Sequence, residues 1–80
     1  MLNSNVHLGC RIKTWRTAKG LTQRQLAKKI GISTTAVHYW EREDGLRTSP
    51  KERHLTAAVA AFGISMERFY GRLPKVKARA

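Results

Sequence analysis

A group of hydrogen-bonding side chains lies near the middle of the chain and has the right chemistry to read the edges of DNA bases. It consists of Thr34, Thr35, His38 and Tyr39. On a helical wheel at about 100° per residue, these residues cluster on one side, with Arg42, and the apolar residues Ala36, Val37 and Trp40 fall on the other. Threonine can hydrogen-bond to a base and can also contact a thymine methyl group. The polar face contains no Asp or Glu, whereas a face that serves solubility alone would more often combine Lys with Glu.

Two side chains of this face also have an interpretation that involves no DNA contact. His38 is either a base contact or a solvated histidine, and Tyr39 is either a DNA contact or a partly buried packing residue. Trp40 resembles a stacking platform, but its place on the wheel predicts a core residue.

The charge of the chain favours a polyanionic partner. Among 80 residues, Lys and Arg number 16 and Asp and Glu number 5, which gives a formal charge of +11. Residues 1–20 and residues 64–80 each carry +4, and residues 21–46 carry only +1. This pattern predicts a protein whose flanks grip phosphates while its centre reads bases. A generally basic, soluble surface is the alternative.

Other chemistries find little support in the sequence. The histidines His7, His38 and His54 lie far apart and lack a cysteine or carboxylate at ligand spacing, so we expect no metal and no cofactor. Cys10 lies opposite the apolar stripe of its helix and is expected to be an exposed, incidental thiol. No nucleophile–base pair, carboxylate pair or phosphate loop indicates an enzyme.

The elements that must position the polar face are short helices. Apolar spacing and capping residues predict five of them, and no segment alternates as a strand would. The predicted helices are Leu8–Ala18, one from the cap Thr22 to about Ile30, one from the cap Ser33 to about Arg42, one from Ser49-Pro50 to Gly63, and one from the cap Ser65 to Gly71. We expect Ala27 to allow the close crossing of the second and third helices, and Gly31 to adopt a positive φ in the turn between them.

The spacing of these residues resembles the lambda-repressor-like helix-turn-helix family, also called the Cro/C1 or XRE type. The resemblance covers about residues 8–70. It rests on Leu8-Gly9, Arg11-Ile12, Trp15-Arg16, Lys19-Gly20-Leu21-Thr22-Gln23, Leu26-Ala27, Ile30-Gly31-Ile32-Ser33, Val37 and Trp40-Glu41. It implies an all-α, five-helix domain over residues 8–73, with the helix-turn-helix at about residues 22–42. Residues 1–7 would then be an N-terminal arm and residues 74–80 a flexible basic tail.

The same resemblance implies roles for individual residues. Thr34, Thr35, His38 and Tyr39 would face bases or nearby phosphates. Thr22 and Gln23, at the start of the second helix, would touch phosphate. Gln23 would also brace the third helix, which would be the recognition helix. Arg16 and Glu41 occupy positions that form a buried ion pair in many members, and Glu41 at the edge of the apolar face needs such a partner.

The chain departs from the family pattern after Glu41. The loop to Pro50 is longer than usual by about three residues, and the third helix could extend toward Gly45. The candidates for phosphate contacts in and around this loop are Arg42, Arg47, Thr48 and Lys51.

The sequence therefore predicts a cytoplasmic repressor that binds double-stranded DNA, as a homodimer on a palindromic operator. The end of the fourth helix and the exposed parts of Phe69, Tyr70 and Leu73 are candidates for the dimer interface. An antitoxin or another module that binds an unidentified protein partner is the main alternative, and RNA binding is a weaker one because no sheet is predicted. No apolar run approaches the roughly 18 residues that a membrane helix needs.

Overall fold

Five α-helices follow one another in the computed structural model, which describes residues 8–42 and 49–75. They are α1 (Leu8–Ala18), α2 (Gln23–Ile30), α3 (Thr34–Glu41), α4 (Glu52–Phe62) and α5 (Met66–Tyr70). Within those two ranges no residue belongs to a strand. The all-α, five-helix prediction is confirmed.

Three of the predicted caps begin their helices. The Thr22 hydroxyl accepts from the Gln25 amide at 3.0 Å, and the Gln25 side chain accepts from the Thr22 amide at 2.8 Å. Ser33 and Ser65 cap α3 and α5 through bonds to backbone amides three residues on. Each cap pairs a donor that the first helical turn would otherwise leave without a partner.

A single core joins the helices. It contains Ile12, Trp15, Leu26, Ala27, Val37, Trp40, Leu55, Ala58, Val59, Phe62 and Phe69. The prediction that Trp40 is a core residue is confirmed, since its exposed fraction is 4%. Phe62 and Phe69 pack with their rings nearly parallel, 6.5 Å between centroids, which joins α4 to α5.

Helix α1 approaches the end of α3 very closely at Gly9. A Cβ built on Gly9 would overlap the carbonyl oxygen of Trp40, and would lie 2.8 Å from the carbonyl carbon. Only a hydrogen at this position allows α1 to lie against the end of α3. Ala27, the small residue expected at a close crossing, is indeed buried.

Arg11 is buried in the interior although the charge pattern placed it in a phosphate-gripping flank. Its exposed fraction is 3%. Its Nη1 donates to the carbonyl oxygens of Phe69 at 2.9 Å and Gly71 at 2.8 Å. A guanidinium is a favourable partner for the orphan carbonyls at the end of a helix, so Arg11 fastens the end of α5 to α1.

Three local predictions are wrong. The fourth helix begins at Glu52 rather than at Ser49-Pro50, because Lys51 is extended at ψ 156° and no side chain caps the helix. The third helix does not extend toward Gly45, because it ends at Glu41 and Arg42 has a non-helical ψ of 145°. Phe69 cannot contribute to a dimer interface because its side chain is fully buried.

Candidate nucleic-acid interface

The turn between α2 and α3 is short and tightly bonded. Gly31 has a φ of 87°, as predicted. The amides of Gly31 and Ile32 both donate to the carbonyl oxygen of Ala27, at 2.8 Å and 3.0 Å. These two hydrogen bonds to one carbonyl oxygen close the end of α2. The chain then enters the Ser33 cap of α3 directly.

The polar face of α3 is exposed along its length. Thr34, Thr35, His38 and Tyr39 are exposed, while Val37, Trp40 and Glu41 are buried. We call Thr34, Thr35, His38 and Tyr39 the reading face. The structure therefore brings these four predicted site residues together on one surface.

Ring contacts organise the C-terminal half of the reading face. The rings of His38 and Tyr39 lie 6.0 Å apart and are inclined at 46°. The Arg42 guanidinium lies 5.5 Å from the centroid of the Tyr39 ring. A cation over an aromatic ring is favourable, so Tyr39 holds Arg42 close to the end of the reading face.

Glu41 joins the end of α3 to α1 and α2. Arg16 donates to it twice, from Nε at 2.9 Å and from Nη2 at 3.0 Å. The side-chain exposure of this pair is 13% for Arg16 and 3% for Glu41. Gln23 adds a third bond, from its Nε2 to a Glu41 oxygen at 3.0 Å. Charged, bidentate bonds of this kind are strong and directional, so they fix the orientation of α3.

A depression of about 550 Å³ lies where the start of α2 meets the start of α3. It brings Thr22 and Gln23 beside Thr34, and it also includes Thr17 and Arg24. The backbone amides at helix N-termini attract phosphate. Arg24 and Thr17 were missing from the sequence-based candidates, although Arg24 directly follows Gln23 and could have been found as the next exposed residue of α2.

At least three of the four cations of residues 1–20 are engaged within the fold. Arg11 is buried, Arg16 is paired with Glu41, and Lys19 lies 5.9 Å from the Trp15 ring. Instead, α2 supplies exposed Arg24, Lys28 and Lys29. The expectation of a phosphate contact from the basic N-terminal flank is therefore wrong for Arg11, whose charge is buried in the fold. Arg16 pairs with Glu41, as its position in the sequence predicts.

The loop candidates are only partly described. Arg42 is half-buried, and Lys51 is exposed directly before α4. Arg47 and Thr48, the N-terminal arm at residues 1–7 and the tail residues 76–80 lie outside the described residues.

Other kinds of site find no support in residues 8–42 and 49–75. No three His, Cys, Asp or Glu side chains there are close enough to hold a metal ion. Cys10 is exposed, as predicted. No helix in this part of the chain is both long enough and apolar enough to cross a bilayer.

Comparison with known families supports the arrangement. A family model described as helix-turn-helix, of the Cro/C1 and XRE-like type, matches residues 12–69. The matched range includes all of α2, all of α3 and the turn between them. Neither the curated proteins nor the solved structures contain a significant match to the chain.

Proposed function

Because the chain belongs to the Cro/C1-type helix-turn-helix family of DNA-binding regulators, we propose that it is a sequence-specific transcriptional repressor. It binds an inverted-repeat operator as a homodimer and places α3 in the major groove. The family is generally non-enzymatic, so the protein acts by occupying DNA.

One observation carries this proposal: the exposed face of α3 is polar, free of carboxylates and fixed in orientation. The Thr34 and Thr35 hydroxyls lie at the end of the helix that enters the groove first in helix-turn-helix docking. His38 and Tyr39 follow one turn later. Glu41, the one acidic residue of α3, is buried and already bonded to Arg16 and Gln23, so it does not repel phosphate from this face.

Phosphate contacts fall to residues around the reading face. Thr22, Gln23 and Arg24 border the depression at the helix N-termini. The Thr22 hydroxyl accepts from Gln25 and keeps its own proton to donate. Gln23 uses one amide proton on Glu41 and keeps the second. Arg42, Lys51, Arg47 and Thr48 remain proposed phosphate contacts.

The direct test is a selection of random duplex DNA by the purified protein at several salt concentrations, followed by sequencing. We expect a palindromic motif with half-sites about 34 Å apart, one turn of the duplex. Salt-sensitive retention without an enriched motif would contradict sequence-specific binding.

Substitutions should distinguish residues that contact bases from residues that contact phosphates. We expect Thr35→Ala and His38→Ala each to lose about 1–3 kcal/mol of discrimination between operator and random DNA, with nonspecific binding nearly unchanged. Arg24→Ala should weaken both DNAs alike and reduce the salt slope by about 1. Fluorescence anisotropy over a salt series measures both quantities. If Arg24→Ala altered sequence preference as strongly as Thr35→Ala does, the division of roles would be wrong.

Tyr70 is the proposed anchor of the dimer, since its exposed fraction of 49% is the highest of any large hydrophobic residue in residues 8–42 and 49–75. We expect Tyr70→Ser to weaken self-association about tenfold, because exposed tyrosines are common anchors of interfaces. Sedimentation over a dilution series measures this. Tyr39→Ser is the matched control, because Tyr39 is similarly exposed at 42% but lies on the reading face. If both variants self-associated as strongly as the parent protein does, Tyr70 would not be part of the interface.

A further inference from the structure

A second basic surface lies outside the helix-turn-helix. It is an open groove of about 600 Å³ beside α5. We call it the α5 groove, and its main lining residues are Arg68, Arg72, Lys75, Glu67, Leu73 and Pro74. None of them belongs to α2 or α3, and the function proposed above uses none of its cations.

The groove is preformed by contacts to α1. The Arg68 guanidinium lies 5.6 Å from the centroid of the Trp15 ring, and the Arg68 amide is bonded to the Ser65 cap. Arg11 holds the carbonyl oxygens of Phe69 and Gly71, which fixes the chain just before Arg72. A ligand would therefore meet Arg68 and Arg72 on backbone that these contacts hold in place, so less entropy is lost on binding.

The lining chemistry indicates what the groove accepts. Three cations against the single acid Glu67 favour an anionic ligand. Arg68 is stacked on an aromatic ring and offers a planar fork, the geometry that pairs with a carboxylate. Leu73 and Pro74 add apolar, half-buried walls, which match an apolar side chain rather than a sugar–phosphate backbone.

Two other occupants fit less well. A second copy of the chain through the same groove would oppose like charges, which is costly. Tyr70, the proposed dimer anchor, is two residues from Arg68 and therefore about 200° around the helix from it, and it does not line the groove. A DNA backbone is a convex rod of phosphates that would meet Glu67 and the apolar walls in a concave site.

We propose that the α5 groove binds an acidic peptide segment of a partner protein, in which carboxylates alternate with apolar side chains. The carboxylates pair with Arg68, Arg72 and Lys75, and an apolar side chain packs against Leu73 and Pro74. This surface would give a DNA-bound protein a separate contact for a protein partner.

The test is a titration of the ¹⁵N-labelled full chain with a synthetic peptide that alternates glutamate with leucine, followed by NMR. The same peptide with glutamine in place of glutamate is the ligand control. We expect saturable shifts confined to the amides around Arg68, Arg72 and Lys75, and none with the glutamine peptide. No saturable shift, or shifts centred on α3, would overturn the proposal.

Charge-matched variants separate a site from general attraction. The groove variant carries both Arg72→Glu and Lys75→Glu. The control variant carries both Lys28→Glu and Arg53→Glu. The two variants have the same net charge, and all four positions are exposed. The groove variant should bind the peptide about tenfold more weakly than the control variant, because attraction becomes repulsion within the site. Equal losses would mean general electrostatics and would overturn the proposal.

Duplex DNA binding is measured on the same variants. We expect the two variants to bind random duplex DNA with similar affinity, or the control variant to bind it more weakly because it has lost the charge of Lys28. A larger loss of duplex binding in the groove variant would assign the groove to nucleic acid and overturn the proposal. Operator binding by the parent protein is measured in a separate experiment. A negative result for the peptide therefore does not contradict the proposed repressor function.

Discussion

Gly9→Ala is expected to destabilise the protein by about 3 kcal/mol or more, at or above the upper end of the usual cost of overpacking a core. The added methyl would overlap the carbonyl oxygen of Trp40, a backbone atom that no rotamer change can move. Either α1 moves away from α3 or the end of α3 shifts. Both changes disturb the Arg16–Glu41 pair, which lies between the same two helices.

Urea denaturation followed by circular dichroism measures this cost. Cys10→Ala is the matched control, because Cys10 is the next residue of α1 and is exposed, so that change should cost less than about 0.5 kcal/mol. If the Gly9 variant survives folding, its operator affinity should fall as well, since α3 would be displaced. Equal stability of the two variants would show that α1 and α3 tolerate a wider spacing.

The helix-turn-helix was predictable because its signals are local. Thr22 and Ser33 mark helix starts by cap chemistry, and Gly31 marks the turn by its freedom to adopt a positive φ. The reading face followed from helical period alone, since a rotation of about 100° per residue separates Thr35 from Val37 whatever the rest of the fold does.

The start of α4 was not predictable in the same way. Ser49, Pro50 and Glu52 have the sequence of a capped helix, yet the helix begins at Glu52. A cap contributes about 1 kcal/mol, whereas burying side chains such as Leu55 and Phe62 contributes about 1.5–3 kcal/mol each. That burial is the same whether the helix begins at Pro50 or at Glu52, so the weak cap signal alone had to locate the start, and the backbone is still extended at Lys51.

The roles of charged residues required the fold as well. A helical wheel places Arg11 beside the Leu8–Ile12–Trp15 stripe and Lys13 opposite it. The wheel does not show that the Arg11 guanidinium bonds the end of α5. The depression that includes Thr17 and Arg24 is lined by the end of α1 and the start of α2, and Thr34 joins them only through the packing of α3. A helical wheel shows the face on which a residue lies, but not which other element meets that face.

The Arg16–Glu41 pair should have a large and strongly non-additive effect on stability. Arg16→Met leaves a nearly buried carboxylate with only Gln23 as partner, and Glu41→Leu leaves the guanidinium beside an apolar side chain. Each single change is expected to cost about 3–5 kcal/mol, because a buried charge loses its counterion. Denaturation of each variant in urea gives these values, with exposed Arg24→Met as the control for loss of a surface charge.

The double variant Arg16→Met with Glu41→Leu should be more stable than either single variant. Replacing both charges by apolar groups removes the unpaired charge, and such replacements are often neutral. We expect a residual cost of about 1–2 kcal/mol, because Arg16 also donates from Nη1 to the carbonyl oxygen of Leu21 at 2.7 Å. Its operator affinity should remain below that of the parent even when folded, since Gln23 would no longer be bonded to the end of α3. Additive costs of the two single changes would mean that the two charges do not depend on each other, and the orientation of the recognition helix would then need another explanation.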